Sequence, residues 1–348
     1  MSTDSPNPSP TKPDGSDSLL ARLDAWMEEN PWHPRATPFF VYMIGMLIGG
    51  LIYDGSFGLP EVPVLIPVIY TVQVGIVVWL LWRYRRLLPE LNIKFHWLAV
   101  PTGIGLCFAW VYLGYASNWL AGQLVGMPGI GDLMAWLVPT HEQVPAAHGD
   151  WFLPDGQASA QLSNAHNFTD NKAALGEGWY WTTMSLRLLG MSIAVPLFEE
   201  LWVRSAVLRG AFSAGKTKTA FLQLGSDLPV IGEWISSTKA GQAAAKQPSM
   251  FTQQLIERRV GQISLFAIVF STFVFMLAHQ RRDYLGCIAC GVVWCWLVWW
   301  TNKPKKGEAW GDQPASGRYG LGPIVWSHGI TNAALWAWTL YTDDWQFL

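Results

Sequence analysis

Pro196-Leu197-Phe198-Glu199-Glu200-Leu201-Trp202-Val203-Arg204 decides the reading of this chain, because two adjacent carboxylates interrupt sequence otherwise suited to lipid. Largely apolar residues flank it, from Met191 to Pro196 and again from Ala206 to Leu208. A carboxylate near the middle of a bilayer costs about 2.5–3.5 kcal/mol on insertion scales, so an intramembrane pair points to a working site. Glu200 and Arg204 are four residues apart, share one helix face and can form an ion pair; Glu199 points roughly 100° away. The two glutamates therefore have different tasks, one held by arginine and one free to act in a bundle interior. Downstream, two apolar segments carry one histidine each, His279 and His328.

Composition supports a membrane setting. The chain has 348 residues, of which 51% are hydrophobic and only 14% charged, and it holds 22 tryptophans. Indole rings settle at the boundary between water and lipid, which also accounts for Trp294, Trp296, Trp299 and Trp300 as expected interface anchors. A net charge of -2 gives nothing to attract nucleic acid. The expected fold is all-α, a polytopic membrane helix bundle of seven or eight transmembrane helices. Spans are placed at 37–54, 62–82, 97–115, 180–212, 261–280, 285–302 and 319–341, with Pro196 kinking or breaking the fourth.

Four regions follow. Residues 1–36 form a cytoplasmic tail, Ser/Pro/Asp-rich at first and then an amphipathic interfacial helix from Ser18 to Asn30. No basic start leads into an early apolar core, so no signal peptide is expected. Residues 37–115 form a three-helix membrane region, 116–178 an extracytoplasmic connection, and 179–341 a membrane core with a cytoplasmic insertion at 213–259. Basic residues alternate with acidic ones between successive connections, which places the N-terminus in the cytoplasm and the C-terminus outside. Arg281 and Arg282, after the fifth span, break that pattern.

Several motifs match by letter only. Gly210 to Thr217, with Lys216, spells a phosphate-binding loop, yet a helix rather than a buried strand precedes it, so no nucleotide is expected. Cys287 and Cys290 are spaced like metal ligands but no second pair exists; with Cys107 and Cys295 they read as packing residues. His141, His148 and His166 show no His-Glu-x-x-His pattern and read as surface residues. Asn167-Phe168-Thr169 is a glycosylation sequon in letters alone.

Phe275 lies one helical turn before His279 and can orient it; His328 and Asn332 share another face. A carboxylate and a histidine flanking a water, opposite a histidine and an amide able to hold an oxyanion, suffice to hydrolyse a peptide without a serine or cysteine nucleophile. A proton relay or transporter, and a non-catalytic scaffold or immunity protein, would use the same buried groups.

These three segments, Glu199-Glu200…Arg204, Phe275…His279 and His328…Asn332, resemble the ordered motifs of the CAAX prenyl protease type II and bacteriocin-processing family of glutamate-dependent intramembrane proteases. The likeness covers about 180–341. The stretch from Arg35-Ala-Thr-Pro-Phe-Phe onward resembles the branch associated with exosortase systems more loosely, and some fifty residues are inserted between the first two motifs. The resemblance implies Glu199 as general base, His279 positioning water, His328 and Asn332 stabilising the oxyanion, and Glu200, Arg204 and Phe275 in support. It implies no cofactor; the alternative is zinc held by Glu199, His279 and His328. Implied partners are membrane lipid and a protein or peptide substrate, lipidated or tail-anchored. Counted along ideal helices, Glu199 would lie about 20 Å deep, His328 about 14 Å and His279 about 27 Å. Convergence then requires the fifth helix to tilt, to start late, or to end inside the membrane.

Overall fold

The computed structural model describes residues 18–53, 65–124, 127–129, 168–212, 217–226, 231–247, 249–279, 283–342 and 347. Among these residues the regular elements are helices and no strand occurs. Helix α1 (Leu19–Glu29) starts at the Ser18 hydroxyl, which accepts from the Ala21 N–H at 3.2 Å. It is strapped to the end of α3 (Leu65–Arg83): Arg83 Nε donates to Asp24 Oδ1 at 3.0 Å and the Tyr84 hydroxyl to the same oxygen at 2.7 Å. Arg83, then Tyr84, hold the Asp24 carboxyl below the usual carboxylate range. Met27 is buried with Leu80 and Tyr84, with Leu23 and Trp26 packed beside it, while Leu19 and Leu20 at the start of α1 stay exposed.

Glycines set the close approaches between helices. In α2 (His33–Tyr53), Gly45 admits the Gln73 side chain of α3. Helix α4 (Ala99–Leu124) meets the last helix, α14 (Gly322–Thr342), where Gly103 lies against Ser327 O and accepts from Thr331 Oγ1 at 3.0 Å. Gly291 of α13 (Tyr284–Asn302) takes Thr272 of α12 (Leu265–Leu277) into contact. One core cluster joins Phe39, Val77, Leu106, Phe198, Leu201, Phe275, Trp294, Leu297 and Ile324.

Beyond Gly176, whose φ of 80° and ψ of 163° interrupt its first helix, the glutamate-bearing segment is one run of helical turns. It comprises α5 (Phe168–Leu189), a wide turn Gly190–Ala194, α6 (Val195–Glu200), a second wide stretch Leu201–Val207, and α7 (Leu208–Gly210). Pro196 therefore widens this helix rather than breaking it. The expected fifth span, 261–280, is shorter: α12 begins only where the Ser264 hydroxyl accepts from Ala267 N–H, and it closes at Leu277. The chain before it turns at Gly261, whose φ of 91° suits glycine alone.

Three helices among the described residues are long and apolar enough to cross a membrane, within His33–Ile52, Ala99–Ser117 and Tyr284–Asn302; Pro67–Arg83 and Leu265–Leu277 are shorter apolar helices. The insertion forms α8 (Thr217–Ser226), α9 (Ile231–Ser237), α10 (Lys239–Ala245) and α11 (Met250–Glu257). Its Phe251 packs on Gly210, whose carbonyl accepts from Gln254 Nε2 at 2.9 Å. That closes the start of the phosphate-loop look-alike with side chains; Lys216 itself lies outside the described residues, as do His141, His148, His166, Asn167, Arg281 and Arg282. All four cysteines are buried and unpaired.

Candidate active site

Pro196 organises the site. Having no N–H, it cannot continue the ladder of the helix that carries it. The preceding residues open into a wide turn in which Val195 N–H reaches back to Gly190 O. The carbonyls left over face α14. Asn332 Nδ2 donates to Met191 O at 2.7 Å, and Gly329 approaches Ser192 O so closely that a Cβ there would sit 2.4 Å from it. Proline on one helix thus fixes the register of the other, and brings His328 level with the glutamates.

The His328 ring lies between the two carboxylates. Its Nδ1 is 2.9 Å from Glu200 Oε1, and its Nε2 is 3.8 Å from Glu199 Oε2. Because a carboxylate only accepts, the first contact puts a hydrogen on Nδ1. The second is too long for a direct hydrogen bond. Glu199 Oε2 is buried and accepts no hydrogen bond among the described residues.

Glu200 is fully buried and also faces Arg204, with Nε 3.4 Å from Oε2. The guanidinium sits over two aromatic rings, 4.8 Å from the Phe275 centroid and 5.4 Å from that of Trp294. Desolvated contacts of this kind are worth about 2 kcal/mol. Trp294 in turn stacks on His328 with centroids 4.3 Å apart, and its Nε1 donates to Ser327 Oγ at 3.1 Å. It is a wall of the site, not the interface anchor expected. Trp296 and Trp300 are exposed on the other side of α13.

His279 sits just beyond the end of α12. The Phe275 ring lies 4.3 Å away, but the stronger constraint is the Phe275 carbonyl, which accepts from Nδ1 at 2.9 Å. A carbonyl cannot donate, so Nδ1 carries the hydrogen and Nε2 keeps its lone pair. Trp110 of α4 closes the ring edge-on at 5.6 Å. Aromatic contacts tie His279 to the cluster, Phe275 lying 6.4 Å from the His328 ring; among the described residues no hydrogen bond joins it to either glutamate. Likewise no group of three His, Cys, Asp or Glu among the described residues is arranged to hold a metal ion.

A second buried network anchors the far end of the glutamate helix. Glu90, in the connection after α3, accepts from Arg35 Nε at 2.5 Å, Arg35 Nη2 at 2.9 Å and Ser205 Oγ at 2.5 Å, with Arg209 Nη1 3.6 Å away. Arg209 also donates to Ser205 Oγ at 3.0 Å, Arg258 O at 3.0 Å and Leu255 O. Burial pushes the Glu90 carboxyl up, but Arg35, with Arg209 and Ser205, outweighs it and leaves the group below the usual range. Sequence reasoning used Arg35 and Arg209 only as charges for orientation. The overlooked signal was Glu90 itself, an acid among Arg83, Arg85, Arg86 and Lys94. For Trp294 the signal was periodicity, since Cys287, Cys290, Gly291, Trp294, Val298 and Thr301 mark one helix face.

The model of the family described as type II CAAX prenyl endopeptidase Rce1-like matches residues 181–334, which hold all three motifs and every contact of the His328 cluster. No curated protein and no solved structure matches the chain. Residues 181–334 are an Rce1-like domain, of the family described as type II CAAX prenyl endopeptidase.

Proposed function

We propose that this protein is an intramembrane endopeptidase of the CAAX-processing kind that hydrolyses a peptide bond with water activated by Glu199. The observation that carries the reading is the buried Glu199 Oε2, which accepts no hydrogen bond among the described residues and lies 3.8 Å from His328 Nε2, with Glu200 on the ring's other nitrogen. Glu199, Glu200 and Arg204 together carry one net negative charge when ionised, and uncompensated charge is costly in a lipid-embedded site. One extra proton held between Glu199 and His328 balances it. That mobile proton is what general acid–base hydrolysis requires.

Glu199 takes a proton from water, which attacks the substrate carbonyl. His279 Nε2, with its lone pair, orients the water. His328, protonated while Glu200 holds its Nδ1–H, faces the oxyanion through Nε2, and the second amide hydrogen of Asn332 supplements it. Glu200 and Arg204 hold the imidazole rather than the substrate.

The architecture that goes with this reading is a bundle of seven spans, the N-terminus cytoplasmic and the site below the inner leaflet. The substrate is a membrane-delivered protein or peptide, lipidated or tail-anchored. Comparing membrane proteomes of wild type and Glu199→Ala tests the proposal: one precursor accumulating supports it, and normal processing by the inserted variant overturns it.

A further inference from the structure

The insertion between the first two motifs presents an apolar surface that nothing among the described residues covers. On α9, Trp234 is 69% exposed and Ile231 52% exposed; on α8, Phe221 is 49% exposed. These helices are not loosely held. Gln223 ties α8 to α10 and α11 by donating to Ala244 O at 2.9 Å and accepting from Met250 N–H at 2.8 Å. Ile235 fills the space over Gly225, and Gly232 and Gly241 allow contact with Ser226 O and Ile235 O. The exposed rings therefore stand on a built scaffold.

Two observations say what covers them. The first is continuity. Helix α12 turns a stripe of Leu265, Val269, Phe273 and Leu277 outward at four-residue spacing, as a helix facing lipid does. Phe270, on the same helix, stacks on Phe266 at 5.8 Å and meets the Phe221 ring edge-on at 5.4 Å. The apolar surface of α12 thus passes without a break onto α8. The second is charge. Over residues 213–259 four lysines and two arginines stand against three acids, Asp227, Glu233 and Glu257, and Lys218, Lys239 and Lys246 are exposed. Exposed aromatic and apolar residues beside lysines form the pattern of helices lying in an anionic headgroup layer, where an indole ring is at home.

We propose that α8 and α9 lie in the membrane surface beside the start of α12, with Phe221, Ile231 and Trp234 in the headgroup–acyl boundary and the lysines against anionic headgroups. The insertion then works as a lipid-seated collar around the end of the glutamate helix, which it grips through Phe251 and Gln254. This holds whatever the chemistry at Glu199.

The full chain in vesicles of phosphatidylcholine, with or without phosphatidylglycerol, provides the test. Because the four native cysteines are buried, a fluorophore placed on Trp234→Cys reports that site alone. Lipid-borne nitroxide should quench it strongly and a water-soluble nitroxide weakly, the reverse of a label on Lys306→Cys in another connection. Replacing Lys218, Lys239 and Lys246 by glutamine should lower the protection several-fold in the anionic vesicles and leave it unchanged in the neutral ones. A Trp234 label open to the aqueous quencher in both vesicles overturns the proposal and leaves the surface to a soluble protein partner. Protection that rises with protein density in the vesicle overturns it in favour of a second copy.

Discussion

Replacing Glu90 by glutamine isolates the network at the base of the glutamate helix. The variant keeps the shape and an acceptor oxygen for Arg35 and Ser205, but removes the only carboxylate placed between Arg35 and Arg209. Two buried guanidinium groups then share the space with no counter-charge. Removing one member of a buried ion pair costs about 3–5 kcal/mol, and the retained hydrogen bonds place this case near about 3 kcal/mol. At the few degrees per kcal/mol usual for larger domains, the midpoint should fall by about 6–12 °C. The assay is built into the molecule, because the four buried free thiols react with a fluorogenic maleimide only on unfolding. The pH dependence carries the sign. Glu90 titrates lower in the folded chain, so its stabilisation is fully present above its ordinary pKa of 4.5 and is lost as pH falls through the folded value. The gap between wild type and variant should stay constant near neutrality and close in acid. The double variant Arg35→Met with Glu90→Met should be less damaging than Glu90→Gln, since it leaves one guanidinium, that of Arg209, without Glu90 rather than two. A midpoint unchanged by Glu90→Gln, or a gap that widens in acid, would refute the reasoning.

Glu199→Gln should leave the melting midpoint almost unchanged, because the buried Oε2 makes no hydrogen bond, while substrate cleavage falls by about 10²–10⁴-fold; accumulation of precursor reads the second effect. Glu200→Ala should lose activity and stability together, by about 3–5 kcal/mol in the same thiol assay, since it strands Arg204 and frees the His328 ring. Gly329→Ala should cost about 1–3 kcal/mol and reduce activity with it, because the new methyl meets Ser192 O and pushes α14 off the wide turn. Trp294→Phe should keep most of the stability and weaken cleavage, since stacking on His328 survives in part while the bond to Ser327 goes.

The helical class was readable because the apolar runs are long and the ionisable residues sit at helical spacing. Glu199, Glu200, Arg204 and His328 were found for the same reason: charge in an apolar helix is expensive, and four residues of separation give one face. What escaped the reading are contacts set by backbone. Asn332 looked like an oxyanion donor from its spacing to His328, but Met191 O, freed in the turn before Pro196, takes one of its amide hydrogens. Propensity shows that proline disturbs a helix, not which neighbour receives the liberated carbonyl. The Glu200–His328 bond was missed because the pairing with Arg204 at four residues hid a long-range partner 128 residues away. Trp294 was lost among 22 tryptophans, where only the periodicity of its own helix separates the inward ring from the outward ones.

The brevity of α12 bears on where the reaction gets its water. Thirteen residues rise about 20 Å, whereas the hydrocarbon layer is about 30 Å thick. Beyond Leu277 the chain leaves helical geometry with peptide groups that oil cannot solvate. Either the bilayer pinches toward His279 or moisture penetrates to it, and both carry solvent to the carboxylate. Lipid acyl length then becomes a control on turnover: thicker membranes should starve the hydrolysis and thinner ones feed it.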